Sequence, residues 1–164
     1  MKLKRVQIKR QKFNSKDLVM SPKDFLGKEN EKLITTAIEN AENQTSGEIR
    51  VHVENKCPEE VLDRAAWLFK KLKMHQTKDR NGVLIYLSIN DRKFAIIGDA
   101  GINKVVPDGF WNDIKERMIG HFKKGEFAVG LIHGIEETGE HLKQYFPWQE
   151  NDVNELSDEI SYGK

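Results

Sequence analysis

Cysteine is nearly missing from this 164-residue chain. Cys57 stands alone, so no intramolecular disulfide can form and a zinc site built on cysteines is excluded, which suits a reducing compartment. No apolar run approaches the ~20 residues that a bilayer span needs, and the N-terminus lacks the apolar core of a secretory signal. A cytoplasmic protein with no membrane span is expected. A strong charge imbalance is also lacking: Lys and Arg total 27 against 26 Asp and Glu, for a net charge of +1. Nucleic acid is therefore not the expected partner of the fold as a whole. Familiar enzyme motifs are missing too. There is no phosphate-binding loop ending in Gly-Lys-Ser/Thr and no nucleophile elbow, and Cys57 and Arg64 are too far apart for the five-residue loop of a cysteine phosphatase. Gly98-Asp99-Ala100-Gly101 follows an antiparallel strand, which makes a weak nucleotide fingerprint.

What is present suits a soluble domain, with 38% hydrophobic and 32% charged residues. The length allows one domain with a sizeable core, expected over residues 21–148 as a monomer. Residues 79–108 organise it. The unbroken run Val83-Leu84-Ile85-Tyr86-Leu87 predicts a central strand covered on both faces. Asn90-Asp91-Arg92 interrupts the run and Phe94-Ala95-Ile96-Ile97 resumes it, which predicts an antiparallel hairpin. Glu48, Arg50, His52 and Glu54 alternate with Ile49, Val51 and Val53, the pattern of a strand with one polar face at or near a sheet edge.

Helices are expected between and after these strands. Ser21-Pro22 opens one whose buried positions are Leu33, Ile34, Ala37, Ile38 and Ala41, with Gly27 as a weak point. Pro58-Glu59-Glu60 opens a second, carrying Lys70, Lys71 and Lys73 in its last turn. A third buries Trp111, Ile114, Met118 and Phe122. A fourth carries Phe127, Leu131, Ile135 and Leu142, with Gly130 and Gly134 allowing another element to approach closely. The resulting fold class is α/β, a three-layer α/β/α sandwich with a small mixed sheet and about four helices. Residues 1–20 form a basic arm. It is expected to be flexible or to precede a start at Met20, and the alternative is an arm that binds nucleic acid or anionic lipid. Residues 149–164 read as a solvated acidic tail.

A strand-helix-strand unit makes a right-handed parallel crossover, so the first and central strands start at the same sheet edge. The hairpin returns the chain to that edge. Glu48, Asp79, Asp99 and Asp108 are therefore expected around one rim, with Asn81, Asn103 and loop carbonyls nearby. Crowded carboxylates invite a hard divalent cation, calcium first and magnesium second. The plainer alternative is that Asp79 and Asp108 cap turns, that Glu48 is exposed, and that Arg80 or Arg50 neutralises an acid. His75 could add a nitrogen. His52, His121, His133 and His141 lack metal-ligand spacing and read as ordinary, so zinc is not expected.

Thr45-Ser46-Gly47-Glu48-Ile49-Arg50-Val51, Arg80-Asn81-Gly82-Val83-Leu84-Ile85, Asp91-Arg92-Lys93, Gly98-Asp99-Ala100-Gly101-Ile102 and the late glycine-bearing helix together resemble the TPM domain family over residues 28–147. The resemblance implies an α/β/α sandwich and divalent-cation binding at a loop cluster, with acid phosphatase activity suggested for some plant members. It places the family's acidic positions at Glu48 and Asp99, then at Asp79 and Asp108. Many bacterial relatives carry an export signal and a membrane tail, so a stand-alone bacterial member is expected. Two functions follow. One is a calcium-binding regulatory domain with a protein partner. The other is a metal-assisted phosphatase acting on phosphate monoesters, with Arg80 steadying the phosphate.

Overall fold

The computed structural model describes residues 20–150 and 152–163, together with the backbone of Val6–Gln7. The remainder of the expected N-terminal arm lies outside the described residues. Strand β3 (Gly82–Ser88) is buried at all seven positions, because its two faces feed two separate cores. Val83, Ile85 and Leu87 join one core, while Leu84 and Tyr86 join the other. This is the both-sides-covered strand that the apolar run predicts. Its antiparallel partner β4 (Lys93–Gly98) pairs Val83 with Gly98 and Ser88 with Lys93, so the chain does return to its starting edge.

Strand β2 (Glu48–Glu54) runs parallel to β3 with Glu48 opposite Gly82. On one face of the sheet lie helix α1 (Pro22–Glu42), α4 (Asn112–Lys123) and α5 (Phe127–Leu142). On the other lies α2 (Val61–Lys71), so the architecture is a three-layer α/β/α sandwich. Helix α1 is broken at Gly27, whose φ of 80° is open to glycine and costly for other residues. A single helical turn, α3 (Ala100–Asn103), follows β4 where only a loop is expected from the sequence. Gly130 and Gly134 do admit another helix. A Cβ on Gly130 would stand 2.5 Å from the Phe122 ring, and one on Gly134 would stand 2.5 Å from the Met118 sulfur.

Two sequence expectations need correction. The polar face of β2 is not wet, because Glu48, His52 and Glu54 are all buried. The acidic C-terminal stretch is not a free tail. Ser161–Tyr162 forms strand β5, parallel to β2, and the Tyr162 hydroxyl donates to Glu31 at 2.6 Å. Ile160, 8% exposed, pins the stretch to the core, a burial worth about 2 kcal/mol. With β1 (Val6–Gln7) paired to β4, the sheet order is β1-β4-β3-β2-β5. Alternation alone does not say that a later segment will cover a polar face.

The turn leading into β3 is held against the start of α3. The Gly101 amide donates to the Arg80 carbonyl at 2.9 Å, and a Cβ on Gly101 would fall 2.1 Å from the Asp79 carbonyl oxygen. Both obstacles are backbone atoms and cannot rotate away. Gly101→Ala is therefore expected to cost about 1–3 kcal/mol of stability, read as a lower urea midpoint at unchanged slope.

Candidate functional site

The shared sheet edge exists, but the four predicted acids do not form one centre on it. Asp99, only 6% exposed, takes both arms of the Arg80 guanidinium, from Nε at 2.8 Å and Nη2 at 2.9 Å. It also caps α3 by accepting from the Ala100 amide. Asp99 is thus paired with arginine here, as in the plainer of the two sequence expectations. Asp79 is exposed and lines a cavity with Lys78 and Glu155 that adjoins the one beside Glu48, the two sharing Ser46, Asp152 and Val153. Asp108 is exposed in another hollow, beside Asn103 and Pro107. His75 is exposed. Among the described residues, no three His, Cys, Asp or Glu side chains form a ready-made metal cage.

Glu48 behaves differently. Helix α1 ends at Glu42, and the short turn through Thr45-Ser46-Gly47 doubles back into β2, so the helix end lies beside the strand start. The Glu42 carboxylate accepts from the Ile49 amide at 2.9 Å. The C-terminal stretch closes over both residues. Its Glu155 amide donates to Glu48 Oε1 at 2.7 Å, and its Asp158 carboxyl meets that of Glu42. Together they border a cavity of about 440 Å³ with Ser46 and Trp148 on its walls.

Burial first, then the neighbouring Asp158 carboxyl, drives Glu42 up to about 11, so it holds a proton at neutral pH. Glu48 is also raised, first by burial, although the Glu155 amide and the Glu42 carboxyl pull the other way. No N–H group or hydroxyl reaches two buried oxygens in this group, Glu48 Oε2 and Asp158 Oδ1, and the single Glu42 proton can serve only one carboxylate at a time. The Asn81 side-chain oxygen is a third of the kind, on the residue whose carbonyl accepts from the Glu48 amide at 3.2 Å. This donor set consists of oxygen alone, which suits a hard cation such as calcium.

Glu42 and Asp158 are absent from the sequence-predicted set. Glu42 was within reach, since only the five residues 43–47 separate it from Glu48 and a turn that tight folds the helix end back. Asp158 had no signal in a stretch read as tail.

A second buried acid lies at the far end of β2 and is already satisfied. Glu54 is hydrogen-bonded by His52, by the Tyr86 hydroxyl and by Arg64 through Nε at 2.9 Å and Nη2 at 2.8 Å. Burial alone would raise it, but these donors together outweigh burial and hold it at about 2. Ser161 of β5 contacts the other nitrogen of His52 at 2.9 Å. This network ties strand, helix and C-terminus together.

The two acids give opposite pH dependences. A raised acid favours the fold fully below about pH 4.5, and that favour is lost as pH climbs toward 11. The depressed Glu54 favours the fold above about pH 4.5 and loses that favour as pH falls toward 2. Glu42→Gln keeps the neutral state without its ionisation. It is expected to be more stable than the parent by about 1–3 kcal/mol at pH 7, with the gap widening from pH 5 to pH 9 in urea melts.

The sequence profile of the TPM domain matches residues 19–141. The chain is similar to the BA42 protein of the psychrophilic bacterium Bizionia argentinensis, whose NMR structure it matches with a TM-score of 0.81 and 50% identity over 85% of this chain and 96% of that one. It is also similar in fold to the N-terminal domain of a P. gingivalis protein, with a TM-score of 0.62 and 23% identity over 74% of this chain and 78% of that one. A search of curated protein sequences finds no match. With the family profile spanning most of the described sandwich, the chain belongs to the TPM domain family.

Proposed function

We propose that this TPM domain binds a divalent cation, calcium ahead of magnesium, through Glu42, Glu48 and Asp158, and serves as a non-catalytic regulatory or protein-binding domain. The observation that carries the reading is the pair of buried carboxylate oxygens, Glu48 Oε2 and Asp158 Oδ1, that have no donor beyond the one proton of Glu42. Such atoms are costly without a partner. At present the proton on Glu42 relieves the crowding, and a cation would replace it with more charge and more bonds. Carbonyls of the irregular residues 152–155 would add further oxygens, and such an adaptable set favours calcium over magnesium's strict octahedron.

The regulatory role follows from where the lid comes from. Residues 152–158 supply both Asp158 and the amide on Glu48, so the state of the cluster is tied to that segment. The same stretch carries Val153 at 75% exposure beside Trp148 at 47%, which are apolar groups suited to a protein partner. The phosphatase reading asks Arg80 to steady a phosphate, and Arg80 is committed to Asp99.

A calcium titration followed by amide NMR is expected to give saturable shifts at Glu42, Glu48 and residues 152–158, with proton release as Glu42 ionises. Glu48→Gln should weaken binding by about tenfold or more, and Asp99→Asn should leave it within about twofold. Shifts spread without saturation over every exposed acid would remove the proposal, as would undiminished affinity in Glu48→Gln.

A further inference from the structure

The close packing of α4 on α5 brings together two histidines that the sequence separates by a turn and a helix. Gly130 lets α5 settle against Phe122 and against His121, whose Cβ would lie 3.2 Å from a Cβ on Gly130. One turn along, the Arg117–Glu137 ion pair bridges the same two helices. In this setting His121 Nε2 lies 3.1 Å from His133 Nδ1, with the rings nearly perpendicular at 87°. On its other side, His121 Nδ1 lies 3.1 Å from the Glu126 carboxylate. The fold thus makes neighbours of two histidines that the sequence pattern leaves scattered.

We infer that His121 and His133 form a binding site for a borderline transition-metal ion such as Zn²⁺, distinct from the oxygen-lined cluster at Glu48. Three features carry it. The first is spacing. Two imidazole nitrogens, each about 2.05 Å from one zinc, stand about 2.9 Å apart at a right angle and about 3.3 Å apart at the tetrahedral angle. The observed 3.1 Å falls between these limits. The second is orientation. A carboxylate can only accept, so Glu126 fixes the His121 proton on Nδ1 and turns the Nε2 lone pair toward His133, the second-layer support that metal-bound histidines usually have. The third is access. His133 is exposed and the His121 side chain is 25% exposed, so a hydrated ion can reach both.

In the metal-free pair, His133 Nδ1–H donates to His121 Nε2. Binding requires that His133 carry its proton on Nε2 instead, where water can accept it, and that the two rings tilt so that both lone pairs converge on one point off the N–N line. No third histidine, cysteine or acid completes a cage among the described residues. The protein therefore supplies two nitrogens and water fills the open positions. Imidazole suits zinc, copper and nickel, whereas the oxygen cluster suits calcium and magnesium.

The test is an isothermal titration of the full chain with ZnCl₂ in the presence of saturating CaCl₂, paired with long-range ¹H–¹⁵N NMR of the histidine rings. Expected are one zinc per chain and large ¹⁵N shifts at His121 Nε2 and His133 Nδ1. His133→Gln and His121→Gln should each weaken binding by about tenfold or more. Glu126→Gln should weaken it by about tenfold, the usual effect of losing a second-layer partner, and His141→Gln should leave it unchanged. His133 is exposed, so its variant answers the question even if His121→Gln folds poorly. Zinc affinity that survives His133→Gln, shifts confined to other histidines or to Cys57, or no saturable binding below about 1 mM would each overturn the site.

Discussion

Parallel pairing of β2 with β3 obliges both strands to begin at one edge of the sheet, and the hairpin then brings β4 back to finish there. The arrangement follows from chain connectivity more than from side-chain chemistry. A parallel partner needs a crossover, the crossover is right-handed, and α2 supplies it. As a result the loops before β2, before β3 and after β4 all meet on one rim. Polar residues confined to loops by their chemistry become neighbours without being close in sequence.

Crowding like charges on that rim has a cost, and the molecule meets it in three ways. Asp99 is neutralised by a forked arginine and used as a helix cap. Glu48 takes an amide donor from the returning C-terminal segment. Glu42 keeps its proton. The first solution is complete, while the carboxylates of Glu48 and Asp158 remain short of donors. The contrast with Glu54 at the far end of β2 is instructive, because arginine, tyrosine and histidine all donate to that acid. Burial acts on both acids with the same sign, and the number of donors decides which way each one moves.

Much of this architecture was legible in the sequence because it rests on periodicity. The apolar run of β3, the alternation of β2, the hairpin at Asn90-Asp91-Arg92 and the glycines of α5 each have a local cause and a local signature. What escaped was non-local. No pattern in residues 149–164 announces that two of them will extend the sheet beside β2, since Ser161–Tyr162 is too short to carry alternation. Without that segment the polar face of β2 reads as wet, and Asp158 reads as solvated. Arg80 shows the reverse limit. Both partners of its ion pair were visible, but pairing and metal binding make the same demand on an acid, and only geometry tells them apart.

Helix α5 links the two ends of the molecule. Its first residue, Phe127, lies under the Arg92 guanidinium at the β3–β4 turn, 5.4 Å from its ring centroid, while Gly139 packs on Ala41 beside Glu42. His133 sits between them, about 9 Å along the axis from Gly139 at 1.5 Å per residue. Oxygen donors therefore gather at one end and imidazole nitrogens toward the other, with a rigid rod between. Hard and borderline cations prefer different donors, so the two groups need not compete for an ion. Occupancy at the histidine pair would stiffen the α4–α5 contact, and occupancy at the carboxylates would hold the C-terminal segment. Both helix contacts are close packings at glycine with little slack, which fixes α5 against its neighbours at each end.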